Sequence, residues 1–266
     1  MRRKTTMIVN ESLNDFSFWY PKVENCGILM PATYYKKIPA AKENERLFHA
    51  FYHDNPEEDD KIIKEWVKTS IMPDLEYYHL NGLIFVKNGR FSNKFDANNS
   101  CILWGTYRLA DAIANINYQA LCCGADGIDE IVVRRFIDYD MKNTPCIYNG
   151  LPLRSEFRVF YDFDKKKAIF TANYWEYDYV RPHLYKATDK IIFDHERKRL
   201  ETDFIRKRFA VEKMVETAMQ NVTDLEGQWS VDILMDENEQ FWLIDMAVAQ
   251  RSANWEMRPD KEAYPE

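Results

Sequence analysis

The sequence predicts an α+β fold built on antiparallel sheets, and three observations predict it. The segment Glu156–Asp162 alternates polar and apolar residues, turns at Asp164-Lys165-Lys166 and returns over residues 168–175. Residues 201–222 then place Phe204, Val211, Val215, Ala218 and Val222 on one face at helical spacing. Two further strand patterns, Gln228–Met235 and residues 240–247, flank the turn-forming run Asp236-Glu237-Asn238-Glu239. Hairpin, helix, hairpin is the chain order of helices segregated against an antiparallel sheet.

The first half is patterned less sharply. The acidic run Asn55-Pro56-Glu57-Glu58-Asp59-Asp60 reads as a loop capping a helix over residues 60–70, with Ile62, Ile63, Trp66 and Val67 as its apolar stripe. Residues 83–87 form a short apolar strand ending in Lys87, and Asn88-Gly89 is a turn signal. Residues 104–122 read as a helix. Residues 131–137 are β-branched and read as a strand. The chain has 266 residues, enough for one large domain or two joined lobes. The expected division is an N-terminal lobe over residues 1–130 and a C-terminal lobe over residues 131–266.

Composition excludes several classes. Hydrophobic residues make up 46% and charged residues 30%, a soluble globular balance. No apolar run reaches the length of a membrane span. The opening Met1-Arg2-Arg3-Lys4-Thr5-Thr6 is basic but no apolar signal core follows it. Five cysteines, with Cys122 and Cys123 adjacent, show no metal spacing and fit reduced thiols in a cytoplasm. The histidines, His183 and His195 among them, show no ligand spacing, so a His/Cys zinc site is not expected. A net charge of −7 argues against a protein that coats nucleic acid. The basic stretch at residues 197–208 reads as a solvated helix face.

The hairpin near the C-terminus carries the sharpest chemical signal. With Glu237-Asn238 as a two-residue loop, Asp232 faces Leu243 and Ser230 faces Asp245. The two aspartates then share a face as diagonal neighbours, whereas an odd loop would separate them. The opposite face gathers Trp229, Val231 and Ile233 with Trp242, Ile244 and Met246 as core. Carboxylates within apolar strands need compensation. A divalent cation such as magnesium supplies it, and so does an arginine partner or a capped loop. Cations also stand where strands hold them. Arg158 is mid-strand on the face of Glu156, Arg134 and Arg135 end a strand on opposite faces, and Lys87 and Lys94 flank the loop at residues 88–93. Each requires an anion, a carboxylate or a phosphate. No P-loop motif exists.

The order Phe85-Val86-Lys87, Ser92-Asn93-Lys94-Phe95-Asp96, Ile131-Val132-Val133-Arg134-Arg135-Phe136-Ile137, Ser155-Glu156-Phe157-Arg158-Val159-Phe160, Val231-Asp232-Ile233 and Trp242-Leu243-Ile244-Asp245 resembles the ATP-grasp superfamily. It looks most like two branches. One is the eukaryotic cell-division-cycle chaperone family that assists assembly of a translation initiation factor; the other is a phage and bacterial clade proposed as RNA-repair ligases. The resemblance covers residues 83–246. It implies two α+β lobes whose antiparallel sheets clasp ATP with Mg2+. It implies Lys87 and Lys94 at the α- and β-phosphates, residues 133–137 reading adenine by their backbone, and Glu156 with Arg158 on the strand whose arginine meets the γ-phosphate. Cofactor contacts thus fall on Lys87, Lys94, Arg134, Arg135, Phe136, Ile137, Glu156 and Arg158, catalytic roles on Lys94 and Arg158, and metal ligation on Asp232 and Asp245. The family's second metal ligand, an asparagine two residues after the last aspartate, is replaced here by Ala247; Gln250 or Asn254 could substitute, or one magnesium is held. The function this implies is a Mg-dependent ligase of the ATP-grasp type with an unknown acceptor (RNA end, peptide or small molecule) and no membrane partner. The alternative is an ATP-dependent assembly chaperone or binding protein without turnover.

Overall fold

The computed structural model describes residues 11–125 and 127–264. The basic opening at residues 1–6 and the outer ends of both expected lobes lie outside the described residues. In chain order the elements are α1 (Phe16–Val23), β1 (Thr33–Lys37), α2 (Glu45–Tyr52), α3 (Pro56–Trp66), α4 (Met72–Tyr77), β2 (Leu83–Asn88), β3 (Ile102–Trp104), α5 (Leu109–Cys122) and β4 (Glu130–Arg135). There follow β5 (Cys146–Ile147), β6 (Leu151–Pro152), β7 (Glu156–Asp162), β8 (Lys167–Asn173), α6 (Tyr177–Val180), α7 (Ala187–Met219), β9 (Gln228–Met235) and β10 (Phe241–Val248). The fold is α+β, with two four-stranded sheets of order β1-β4-β2-β3 and β10-β9-β7-β8, antiparallel throughout.

Strand alternation gives each sheet a core face and a second face. In the first sheet Ile84, Val86, Ile131 and Val133 point one way, into a core closed by Phe51 of α2, Ile63 of α3, Leu75 of α4 and Ile113 of α5. Lys87 pairs with Val132 and Phe85 with Arg134, so these four share the other face. Val132 belongs to the second core, which places that face against the second sheet. In the second sheet Phe157, Val159, Val231, Ile233, Leu243 and Met246 pack beneath Val211 and Val215 of α7. Phe16, Trp19 and Val23 of α1 complete that core. The amino-terminal helix thus packs with the carboxy-terminal strands.

Several expectations about element bounds change. The helix predicted from residue 60 begins at Pro56, because proline is pre-set for the first helical position and Glu57, Glu58 and Asp59 favour the positive helix end. Asp59 also accepts the Asn55 amide at 2.8 Å. The segment read as a helix from residue 104 starts at Leu109, since Ile102–Trp104 is a strand and Gly105 turns the chain at φ +70. The strand predicted over 131–137 ends at Arg135, and the one over 168–175 ends at Asn173. Helix α7 starts at Ala187 rather than near Glu201 and runs 33 residues. Its charge-rich first half buries Phe193 and Leu200 in a separate small core with Trp175 and Leu184.

The terminal hairpin departs most from expectation. Asp236 N–H donates to the Gln240 carbonyl at 2.9 Å, leaving Glu237, Asn238 and Glu239 as a three-residue loop with Glu239 left-handed at φ 57. That odd loop replaces the even one predicted. Leu243 is therefore opposite Ile233, and the ladder then breaks in a bulge between Leu243 and Asp245. Beyond the bulge Asp245 lies directly opposite Asp232, and Ala247 opposite Ser230. Leu243 and Met246, rather than Trp242, Ile244 and Met246, supply the buried core residues. Odd loop and bulge cancel, and both aspartates still share a face.

Candidate functional site

A cleft of about 330 Å³ opens between the two sheets. Its wall contains Lys87, Lys94, Arg134, Arg135, Phe136, Ile137, Glu156, Arg158, Asp232 and Asp245 of the residues singled out from the sequence, but not residue 133. It also contains Arg90 and Arg154, so seven cations face three carboxylates there, in a protein whose net charge is −7. Such a concentration of positive charge recruits an anion. Phe85, Phe136, Leu151 and Leu234 add apolar wall to the same cleft.

The two aspartates are held differently. Arg158 on β7 pairs with Asp232 on β9 in register, and its guanidinium binds both carboxylate oxygens, at 2.8 and 2.7 Å. Its third nitrogen donates to the Ala253 carbonyl at 3.2 Å. Asp245 is met from the other sheet, by the Lys87 ammonium at 3.1 and 3.0 Å. The Asp232 and Lys87 side chains are only 9% and 5% exposed, whereas that of Asp245 is 42% exposed.

Lys94 begins a short 3-10 turn, and its ammonium stands 4.4 Å from the centre of the Tyr174 ring. Arg158 lies 4.8 Å from the same ring. Burial, with Arg158 nearby, holds Lys94 below the usual lysine range. Glu156 is 9% exposed, and burial, reinforced by Asp232, raises its carboxyl to about 7 against the pull of Lys94, Arg154 and Arg158. Arg134, 3% exposed, donates to Thr33 Oγ1 at 3.1 Å and to the carbonyls of Ile244 and Leu243, and burial holds it down to about 10. Arg135, one residue on, is exposed, as opposite strand faces require.

Sequence reading missed Arg154 and Tyr174. Arg154 donates to the Ile137 carbonyl at 3.0 Å and lies over the rings of Phe136 and Tyr139 at 5.2 and 5.7 Å. It precedes β7 in no strand pattern, and its aromatic partners are remote in sequence. Tyr174 follows the end of β8 and acquires meaning only when Lys94 and Arg158 reach it.

Magnesium needs one or two carboxylates and completes its octahedron with water and phosphate oxygens. Asp232 and Asp245, directly opposed across two strands, fit that demand. Among the described residues there is no cluster of three or more His, Cys, Asp or Glu groups able to hold a metal. Ala247 offers no ligand, and neither proposed substitute lines the cleft. Gln250 contacts Gln228 at 3.5 Å, and the Asn254 amide donates to the Asn173 carbonyl at 3.3 Å. The basic stretch of α7 is matched by carboxylates: Arg197 with Glu201, Arg199 with Glu196, and Arg206 and Lys207 with Glu239.

No family model and no curated protein matches the sequence. Solved structures match the fold. Cdc123 from Schizosaccharomyces pombe superposes with a TM-score of 0.56 at 14% identity, over 95% of this chain and 93% of that one. A C-terminally truncated Cdc123 gives 0.54 at 15% identity, over 92% and 88%. The VanG D-Ala:D-Ser ligase from Enterococcus faecalis is more distant, at 0.44 and 12% identity, over 88% of this chain and 52% of that one. The chain has an ATP-grasp fold, resembling Cdc123 across nearly its whole length.

Proposed function

We propose that the cleft binds ATP with Mg2+ between two lobes that divide after β4 rather than at residue 130, because β4 pairs within the first sheet, and that the protein is an ATP-dependent ligase of the ATP-grasp type. The observation that carries this reading is the excess of cations over carboxylates in one cleft, with two aspartates opposed on one face. Lys87, Lys94 and Arg158 bind the phosphates, and the backbone of residues 134–137 borders the base beside Phe136. Asp232 and Asp245 would hold the magnesium ion, whose charge would offset that of the phosphates. Lys87 would exchange Asp245 for phosphate oxygens, while Arg158, held by Asp232 in its own sheet, would present its charge to them from the fixed side of the cleft. The free state of all five cysteines supports a reducing cytoplasm, and among the described residues no helix is long and apolar enough to cross a membrane.

ATP with Mg2+ should raise the melting temperature, because a ligand bound by the folded state alone stabilises it. Arg158→Ala should weaken ATP much more than AMP. Absence of a shift at millimolar MgATP, with calorimetry also silent, overturns the reading. A second reading is favoured by Ala247, which leaves the second metal position without its usual ligand: ATP is bound without turnover, as in an assembly chaperone. ATP consumption by the purified protein separates the two.

A further inference from the structure

Asp245 takes its position from a bulge, and the Arg134 guanidinium contacts that bulge. Past the three-residue loop, a regular ladder would set Ile244 opposite Asp232 and turn Asp245 toward the core. The extra residue between Leu243 and Asp245 shifts the register by one and returns Asp245 to the face of Asp232. β10 is an edge strand, and the Leu243 N–H donates away from β9 to the Leu29 carbonyl at 2.9 Å, so the Leu243 carbonyl beside the bulge also faces away from β9. Here the carbonyls of Leu243 and Ile244 accept from the Arg134 guanidinium, which comes from the other sheet. Alternation on β4 aims it there: Arg134 shares a face with Val132, which is packed in the second core. Thr33 Oγ1 fixes its Nε at 3.1 Å, and the Phe16 ring lies 5.5 Å from the guanidinium carbon.

We propose that Arg134 is a positioning residue: by gripping the β10 bulge it sets Asp245 opposite Asp232, where the pair can share a divalent cation. The proposal rests on the reading that these aspartates hold the metal of MgATP. Arg134 acts through Asp245 and not on the nucleotide. Its charge alone is insufficient, because two carbonyls and a hydroxyl are met by three nitrogens of a planar fork that a lysine does not possess.

The test compares wild type, Arg134→Met, Arg134→Lys and Thr33→Val, which keeps the guanidinium and removes only one acceptor. ATP affinity is measured by calorimetry in EDTA and across a Mg2+ titration. Arg134→Met and Arg134→Lys should lose about tenfold of the enhancement given by Mg2+, a larger loss than either shows in metal-free ATP affinity. Thr33→Val should move the same way by less. An equal loss with and without Mg2+ makes Arg134 a direct nucleotide ligand and overturns the proposal, as does an unchanged Mg2+ enhancement. Amide exchange at residues 244–246 provides a readout that needs no nucleotide. It should accelerate about tenfold in Arg134→Met and Arg134→Lys while β7 and β8 amides stay protected. Unchanged exchange overturns the clamp even if wild type binds no MgATP, an outcome that by itself overturns only the nucleotide reading.

Discussion

Two ion pairs line the same cleft and are built on different principles. Arg158 and Asp232 sit on adjacent strands of one sheet, in register and bidentate, both nearly closed to water. Lys87 and Asp245 come from different sheets, and the carboxylate remains 42% exposed. The first pair is complete once its own sheet folds. The second forms only where two sheets meet, and it depends on a bulge in β10. A ligand entering this cleft can therefore remake the second pair at little cost, while the first sets the fixed geometry around it. Asp232→Asn should cause the largest loss of stability in the molecule's cleft. It leaves the Arg158 guanidinium buried without its countercharge, a change worth about 3–5 kcal/mol. A chemical melt reads this directly, and replacing both partners by apolar residues of like volume should recover most of the loss. If Asp232→Asn melts like wild type, the contrast between the two pairs is wrong.

Glu156 lies beside the fixed pair and sharpens the comparison through pH. Its carboxyl is raised from 4.5 to about 7, chiefly by burial. The folded state therefore holds a proton that the unfolded chain releases near 4.5. Stability from this group is full below that pH and is lost as pH rises through about 7. The shift corresponds to about 3 kcal/mol. Glu156→Gln, which mimics the protonated form, should be more stable than wild type by up to that amount at pH 8 and nearly equal at pH 4.5. Melts at the two pH values decide it. A mutant that is less stable at pH 8 would mean that the ionised carboxylate is paired with Lys94.

How much of this was legible depends on whether the signal was local. The alternation of Glu156–Asp162 and Gln228–Met235 predicted both strands to the residue. The opposite faces of Arg134 and Arg135 followed from the same period of two. The bulge did not, because Ile244 is an ordinary strand residue and nothing in its neighbours marks an extra position. The shared face of the two aspartates was thus predicted through an even loop and is reached through an odd loop and a bulge. Phe16, Trp19 and Val23 form a helical stripe that shares its core with Val159, Val231 and Met246, far along the chain, a pairing no window of sequence contains. The counter-ions were also invisible: the sequence offered metal or arginine for each aspartate, and the fold supplies a cation to both.

Asp245→Asn is the smallest expected effect and the most informative about the cross-sheet pair. The asparagine keeps the shape of the side chain and a carbonyl oxygen within reach of Lys87, and Asp245 is exposed enough for water to share the burden. The opposing consideration is that Lys87 itself is only 5% exposed and keeps its charge. The balance should be a loss of about 1 kcal/mol, well below that of Asp232→Asn. Repulsion between two bare carboxylates would have made the same mutant more stable, but each carboxylate already has its cation. Nucleotide binding should respond in the reverse order of the melt. ATP affinity without Mg2+ should rise or hold, because a negative charge leaves a cleft that receives phosphates, while the gain on adding Mg2+ should fall by about tenfold as a carboxylate ligand disappears. Chemical melts and Mg2+ titrations on the one mutant measure both. A variant that melts as badly as Asp232→Asn yet keeps its Mg2+ response would make Asp245 a structural counter-ion to Lys87 and leave the cleft without its second metal ligand.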